Sequence, residues 1–122
     1  MDKDLTISRL MEMQKALYTL HQDTWSPMKP QYGRNFLLWM VEEMGEVISI
    51  IQKKGDKAIA GDPAVRAAFL EEMSDVLMYN MDTLLRYGVT PEELSDAYTK
   101  KHLRNMGRDY GAEYQRLFPK ES

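Results

Sequence analysis

The sequence predicts an all-α protein: a single domain over residues 1–122, built as a four-helix bundle. Apolar residues recur at helical spacing in several long segments, and no segment sustains the strict alternation typical of β-strands. Prolines and glycines separate these segments and leave only short links between them, which is typical of helical bundles.

The first predicted helix covers residues 5–23, where apolar residues share one face and Asp4 is the expected N-cap. It is expected to end before a loop that contains Pro27 and Pro30, because proline interrupts a helix. Trp25 lies on this loop. It either covers an edge of the core or forms the wall of a pocket for a planar ligand.

The second predicted helix runs from residue 34 to residue 54 and stops at Gly55. Residues 55–62 are expected to form a short connection. Asp62 followed by proline is typical of an N-cap and a first helical position, so the third helix is predicted over residues 63–87.

The fourth predicted helix begins after Thr90, where a capping box coincides with a proline in the first turn. It is expected to end near Met106, with Gly107 as the C-cap. The tail, residues 108–122, is expected to form a last short helix that packs on the bundle or on a partner chain.

The composition argues against several classes of protein. The net charge of −3, from 16 basic and 19 acidic residues, disfavours binding to a nucleic acid polymer. Cysteine is absent, which excludes disulfides and thiolate chemistry. No apolar stretch approaches the ~20 residues of a membrane span, and the start lacks the features of a signal peptide. The expected location is cytoplasmic, without membrane association.

Two acids of the second helix stand where apolar residues are expected. Glu43 and Glu46 fall on the helical stripe that also contains Phe36 and Trp39, and residues 35–52 include no Lys or Arg. A carboxylate turned toward a helical core is unfavourable unless a cation meets it. The positive charge must therefore come from elsewhere in the chain or from a ligand.

The third helix repeats this arrangement. Glu72 and Asp75 are one turn apart on the same face, and residues 67–85 contain no Lys or Arg. Two such pairs on facing helices would form a cage of four carboxylates, whose hard oxygen ligands suit Mg²⁺ or Mn²⁺. The alternative is that these acids are ordinary solvated charges of helix surfaces.

A di-iron carboxylate bundle also places glutamates on facing helices, but it requires the pattern Glu-x-x-His. The residues three positions before His21 and His102 are Tyr18 and Thr99. Iron is therefore not expected, and each histidine is interpreted as a surface or capping residue.

The two acidic segments together also resemble a known family. Glu42-Glu43-x-x-Glu46, followed after 25 residues by Glu72-x-x-Asp75, is similar to the EExxE…ExxD signature of the all-α nucleoside triphosphate pyrophosphohydrolases of the MazG and dCTP pyrophosphatase type. The resemblance extends from about Trp25 to Tyr110.

The resemblance implies hydrolysis of a (deoxy)nucleoside triphosphate to the monophosphate and pyrophosphate, in a MazG-like protein that assembles as a homodimer or homotetramer. Tyr79 and Asn105 match family positions that contact the nucleotide, and Asn35 is a further match. The implied metal is Mg²⁺, with Mn²⁺ possible, and the implied metal-binding and catalytic residues are Glu43, Glu46, Glu72 and Asp75.

Basic residues near the end of the fourth helix include Lys101 and Arg108, which also match the family pattern. They either bind the terminal phosphates of the substrate or simply complement the helix dipole. Base preference is left open, because Lys53 stands where dCTP-preferring relatives often have tryptophan.

A non-enzymatic interpretation also remains: an oligomeric helical module that serves as a binding or regulatory partner. Segment 37–41 is apolar on more than one face, so we expect self-association in either case.

Overall fold

The computed structural model describes residues 3–108 and 110–119, and in these every regular element is helical. The all-α prediction is confirmed. No helix in this part of the chain is both long and apolar enough to cross a bilayer. A 3₁₀ turn, Pro30–Tyr32, precedes the second helix. The α-helices are α1 (Ile7–His21), α2 (Gly33–Lys54), α3 (Asp56–Gly61), α4 (Pro63–Arg86), α5 (Pro91–Met106) and α6 (Tyr110–Leu117).

The chain forms two compact units, Met1–Pro91 and Glu92–Ser122. In the first unit α2 packs along α4 over the most extensive helix interface, α1 packs on α4, and the short α3 contacts both α2 and α4. The second unit contains α5 from its second residue onward, together with α6, so the expected short helix in the tail is confirmed. A single domain over residues 1–122 stays a prediction.

The helix starts show which side chains satisfy the free backbone N–H groups. Thr6, not Asp4, caps α1: its Oγ1 accepts a hydrogen bond from the N–H of Arg9 at 3.1 Å. Asp4 lies two residues further from the first helical residue, too far upstream for this role. Asp62 caps α4 as predicted, and its Oδ1 accepts from the N–H groups two and three residues later.

The segment 55–62 is not only a connection, as expected, because most of it forms α3. Gly55 ends α2 with φ +83°, and its N–H donates to the carbonyl of Ile51 at 2.9 Å. Residues 56–60 contain neither proline nor glycine, so the chain can resume a helix directly after the glycine and continue until Asp62 opens α4.

The start of α2 packs closely against the ring of Tyr87. A Cβ atom placed on Gly33 would lie 2.8 Å from Cζ of Tyr87, so only glycine leaves room for this ring at the start of α2. The apolar core lies between α1, α2 and α4, and its most buried side chains are Met11, Phe36, Val47, Met81 and Leu85.

Candidate functional site

Three carboxylates meet where α2 faces α4. Glu43 of α2, with Glu72 and Asp75 of α4, each place a carboxylate oxygen within 4.8 Å of the other two. All three side chains are half-buried. The structure therefore brings together acids from both predicted clusters, because one turn of helix separates Glu72 from Asp75 and directs both toward α2.

The described residues supply no paired positive charge to this carboxylate cluster. The pKa of Glu43 is raised, first by a hydrogen bond with Glu72, then by burial and by the nearby charges of Glu72, Asp75 and Glu46. Across residues 3–108 and 110–119, no Lys, Arg or His forms an ion pair with a member of the cluster. The acids repel one another without a local counterion.

Glu46, the fourth predicted ligand, is exposed and stands outside the group of three. It follows Glu43 by three residues on α2, and its charge contributes to the raised pKa of Glu43. Glu46 is therefore close enough to act on the cluster electrostatically, and its role as a ligand stays a prediction.

A cavity of about 400 Å³ adjoins the carboxylate cluster, and Asp75 belongs to both. Trp25 lines the cavity, which corresponds to the pocket-wall alternative for this residue. Its indole also stacks on His21, with ring centroids 5.0 Å apart. The lining residues are Gln14, Leu17, Thr24, Trp25, Ser26, Phe36, Trp39, Asp75, Met78, Tyr79 and Asp82.

Three rings pack together in this lining. Phe36 and Trp39 meet edge to face with centroids 5.0 Å apart, and Tyr79 lies 6.3 Å from Phe36 and 6.4 Å from Trp39. Burial raises the pKa of Tyr79, and the charges of Glu43 and Asp75 raise it further. Its hydroxyl therefore remains a hydrogen-bond donor over the physiological pH range.

A buried polar network, which was not predicted from the sequence, lies on another part of the cavity wall. Asp82 accepts hydrogen bonds from Nε2 of Gln14 at 2.8 Å and from Nη1 of Arg86 at 3.1 Å. Burial raises the pKa of Asp82 to about 6, although Arg86 and Gln14 both act to lower it. Burial likewise lowers the pKa of Arg86.

A signal for this network was present in the sequence. Glu72, Asp75, Tyr79, Asp82 and Arg86 follow one another at intervals of three, four, three and four residues, which places them along one face of α4. Extending the acidic motif by this spacing would have pointed to Asp82.

Asn35, another predicted substrate contact, is half-buried near the start of α2. It belongs neither to the carboxylate cluster nor to the lining of the cavity. A role for Asn35 in substrate binding stays a prediction.

The remaining predicted substrate residues belong to the second unit. Lys101 is exposed on α5. Arg108 binds both carboxylate oxygens of Glu113, at 3.0 and 2.6 Å, and its Nη1 lies 3.4 Å from Oδ1 of Asn105. Exposed ion pairs of this kind contribute little free energy and exchange readily. The predicted phosphate contacts of Lys101 and Arg108, and the nucleotide contact of Asn105, stay predictions.

Comparisons of the chain with protein-family models, with curated proteins and with solved structures find no match. The functional conclusion therefore depends on the chemistry of the carboxylate cluster and the cavity.

Proposed function

We propose that this chain is a metal-dependent hydrolase that converts a (deoxy)nucleoside triphosphate to the monophosphate and pyrophosphate, as expected of the MazG-like family that its motifs resemble. One observation supports this proposal most: Glu43, Glu72 and Asp75 converge, without a paired cation among the described residues, at the edge of an aromatic cavity. The polyphosphate end of one ligand would match the carboxylate cluster, and the planar end of the same ligand would match the aromatic cavity.

The cluster fits Mg²⁺ or Mn²⁺. Its ligand atoms are all carboxylate oxygens, which hard divalent cations prefer, and Mg²⁺ commonly uses one or two carboxylates together with substrate phosphates. The raised pKa of Glu43 supports the assignment, because it arises from acids that lack a counterion. When bound, the ion supplies positive charge to the triphosphate and lowers the pKa of water.

The chain itself holds and orients the substrate in this proposal. Trp25, Trp39 and Tyr79 provide ring faces and edges for a nucleobase, which excludes water from that end of the cavity. Glu46 is exposed beside Glu43, and we assign it to accept the proton of the attacking water.

Four further residues are proposed to contact the substrate outside the aromatic wall. We assign Asn35 and Asn105 to hydrogen bonds with the nucleotide, and Lys101 and Arg108 to the phosphates. For Arg108 this contact requires exchange of its pair with Glu113. Such exchange requires little free energy because both side chains are partly exposed.

The proposal is tested by measuring pyrophosphate and monophosphate release from a panel of nucleoside triphosphates with Mg²⁺. We expect turnover in the wild type and a loss of at least about 100-fold in Glu43→Gln, which keeps the shape but not the charge. Glu71→Gln is the matched control, since Glu71 is exposed and lies outside the cluster. Absence of turnover with every nucleotide, or full activity in Glu43→Gln, would reject the proposal.

We also propose that the protein is a homodimer or homotetramer. Large apolar side chains on α2 and α4 are exposed, including Leu38 at 62%, Val41 at 58% and Leu70 at 50%, and a face of this kind is typically covered by a partner. Sedimentation of the full chain should therefore give more than a monomer's mass.

The same apolar residues favour the second candidate, a non-enzymatic oligomeric binding or regulatory module. The two candidates differ in their response to ligands. Only the enzyme requires that Mg²⁺ and a nucleotide stabilise the folded protein, which a thermal melting series measures directly.

A further inference from the structure

Asp82 is a charged group in an unusual place. Only 2% of the residue is exposed, yet it lines the cavity that Trp25, Trp39 and Tyr79 also line. A buried carboxylate is unfavourable unless its lone pairs are used. Each oxygen of Asp82 accepts one hydrogen bond, Oδ2 from Gln14 and Oδ1 from the Arg86 side chain, so each retains a further lone pair.

The partners of Asp82 are themselves fixed, which fixes the carboxylate. Arg86 donates to the carbonyl of Ser26 at 3.0 Å, and its guanidinium carbon lies 3.8 Å from the centroid of Phe36. Gln14 is 5% exposed. A carboxylate held from two sides in an aromatic surrounding is a preorganised hydrogen-bond acceptor.

The positions of Asp82 and Asp75 suit the two ends of one elongated ligand. They are seven residues apart on α4, about 10.5 Å along the helix axis. Asp75 belongs to the carboxylate cluster, whereas Asp82 lies among the aromatic side chains of the lining. Among the described residues that line the cavity, these two aspartates carry the only charges.

At the exocyclic position of a nucleobase, a carboxylate acceptor distinguishes an amino group from a carbonyl oxygen. Cytosine and adenine carry an exocyclic amino group where uracil and thymine carry a carbonyl oxygen, and guanine also has an exocyclic amine. An amino group donates to a carboxylate. A carbonyl oxygen facing the same carboxylate leaves both acceptors without a donor in a site shielded from water, which costs binding free energy.

We propose that Asp82, held by Gln14 and Arg86, accepts a hydrogen bond from the exocyclic amino group of the substrate's base. The substrates are then amino-bearing nucleotides rather than uracil or thymine nucleotides. This inference rests on the proposed function only in that the ligand is a nucleotide, because recognition of the base needs neither the metal nor hydrolysis.

The test is binding of nucleoside monophosphates to the full chain in the presence of EDTA, measured by calorimetry. The decisive pair is dCMP and dUMP, which differ in the amino or oxo group at C4 and in the hydrogen that uracil carries at N3. We expect the wild type to prefer dCMP by at least about tenfold, with dAMP and dGMP bound more tightly than dTMP. Asp82→Asn should reduce the dCMP preference to less than about threefold, and Asp56→Asn, an exposed control, should retain it.

Equal binding of dCMP and dUMP by the wild type, or no binding of any monophosphate, would overturn the inference. So would an unchanged preference in folded Asp82→Asn. If that variant does not fold, the comparison of dCMP and dUMP binding to the wild type still tests the inference. The outcome is separable from the proposed function: preference without pyrophosphate release supports the inference alone, and release from all triphosphates at equal rates supports the function alone.

Discussion

Glu43 of α2 and Glu72 of α4 each place a carboxylate oxygen within 4.8 Å of the other. Two carboxylates at this separation repel one another when both are ionised. The pKa of Glu43 is raised by its interaction with Glu72, by burial and by the surrounding negative charge. A divalent cation at this position competes with protons, which links metal affinity to pH.

We expect Mg²⁺ to stabilise the folded protein more at about pH 7.5 than at about pH 5, because protons compete with the ion for the carboxylates and the pKa of Glu43 is raised. Saturating metal at 100 times its Kd corresponds to about 2.7 kcal/mol of unfolding free energy. Thermal melting with Mg²⁺ or EDTA at both pH values measures the effect. Equal stabilisation at both would contradict the linkage.

Compared with the wild type, Glu43→Gln should be more stable without Mg²⁺ and less stable with saturating Mg²⁺. Without Mg²⁺ the variant is expected to be more stable than the wild type by about 0.5 kcal/mol, because a like-charge repulsion is removed. Addition of Mg²⁺ should not increase the unfolding free energy of this variant. Glu71→Gln retains the cluster and should respond to Mg²⁺ as the wild type does, as urea unfolding with and without the ion can show.

Asp82 predicts a pH dependence of stability with a defined sign. Its pKa is raised from 3.8 in the unfolded chain to about 6 in the folded one, so the folded state binds the proton more tightly. The contribution is fully present below about pH 4 and is lost as pH rises through about 6.

Over that range wild-type stability should fall relative to Asp82→Asn by up to about 3 kcal/mol. Urea unfolding of both proteins between about pH 4 and pH 7 measures the difference. A constant difference across this window would show that burial does not raise the pKa of Asp82.

Gly33→Ala should destabilise the first unit, because the new methyl group meets the ring of Tyr87 at the start of α2. We expect a loss of about 1–3 kcal/mol in unfolding free energy, the usual range for overpacking. Gly45→Ala on the same helix is the control. Apart from the adjoining residues and backbone of α2, no described atom lies within 4 Å of the place that its methyl group would take, so helix propensity should stabilise that variant by up to about 1 kcal/mol. Equal effects at the two sites would exclude the steric explanation.

The chain contains two tryptophans, Trp25 and Trp39, and both line the cavity. Intrinsic tryptophan fluorescence should therefore change when a nucleotide occupies the cavity, since a base against an indole alters its surroundings. Titration with a nucleoside monophosphate gives the affinity, and Trp25→Phe with Trp39→Phe assigns the signal. Binding detected by calorimetry without a fluorescence change would place the ligand elsewhere.

The sequence was sufficient for much of the fold because local signals dominate it. The periodicity of apolar residues and the caps at Asp62 and Gly55 predicted α2 and α4 closely. The short α3 was missed, since six residues give too little periodicity to separate a helix from a link.

The candidate site was predictable where acidic residues occupy positions on an apolar helical stripe. Glu43, Glu72 and Asp75 stood out as acids on apolar stripes, and the structure brings them together. The Asp82 network was not foreseen, because its partner Gln14 is 68 residues away in the chain and only packing of α1 on α4 joins them.

One face of α4 bears both Asp75 and Asp82. The geometry of the α-helix therefore sets the distance between the carboxylate cluster at Asp75 and the aromatic lining at Asp82. This distance does not depend on a hinge. Inserting one residue between these aspartates would turn the second by about 100° and remove it from the cavity. By contrast, a substitution at position 82 would leave the position of Asp75 in the carboxylate cluster unchanged.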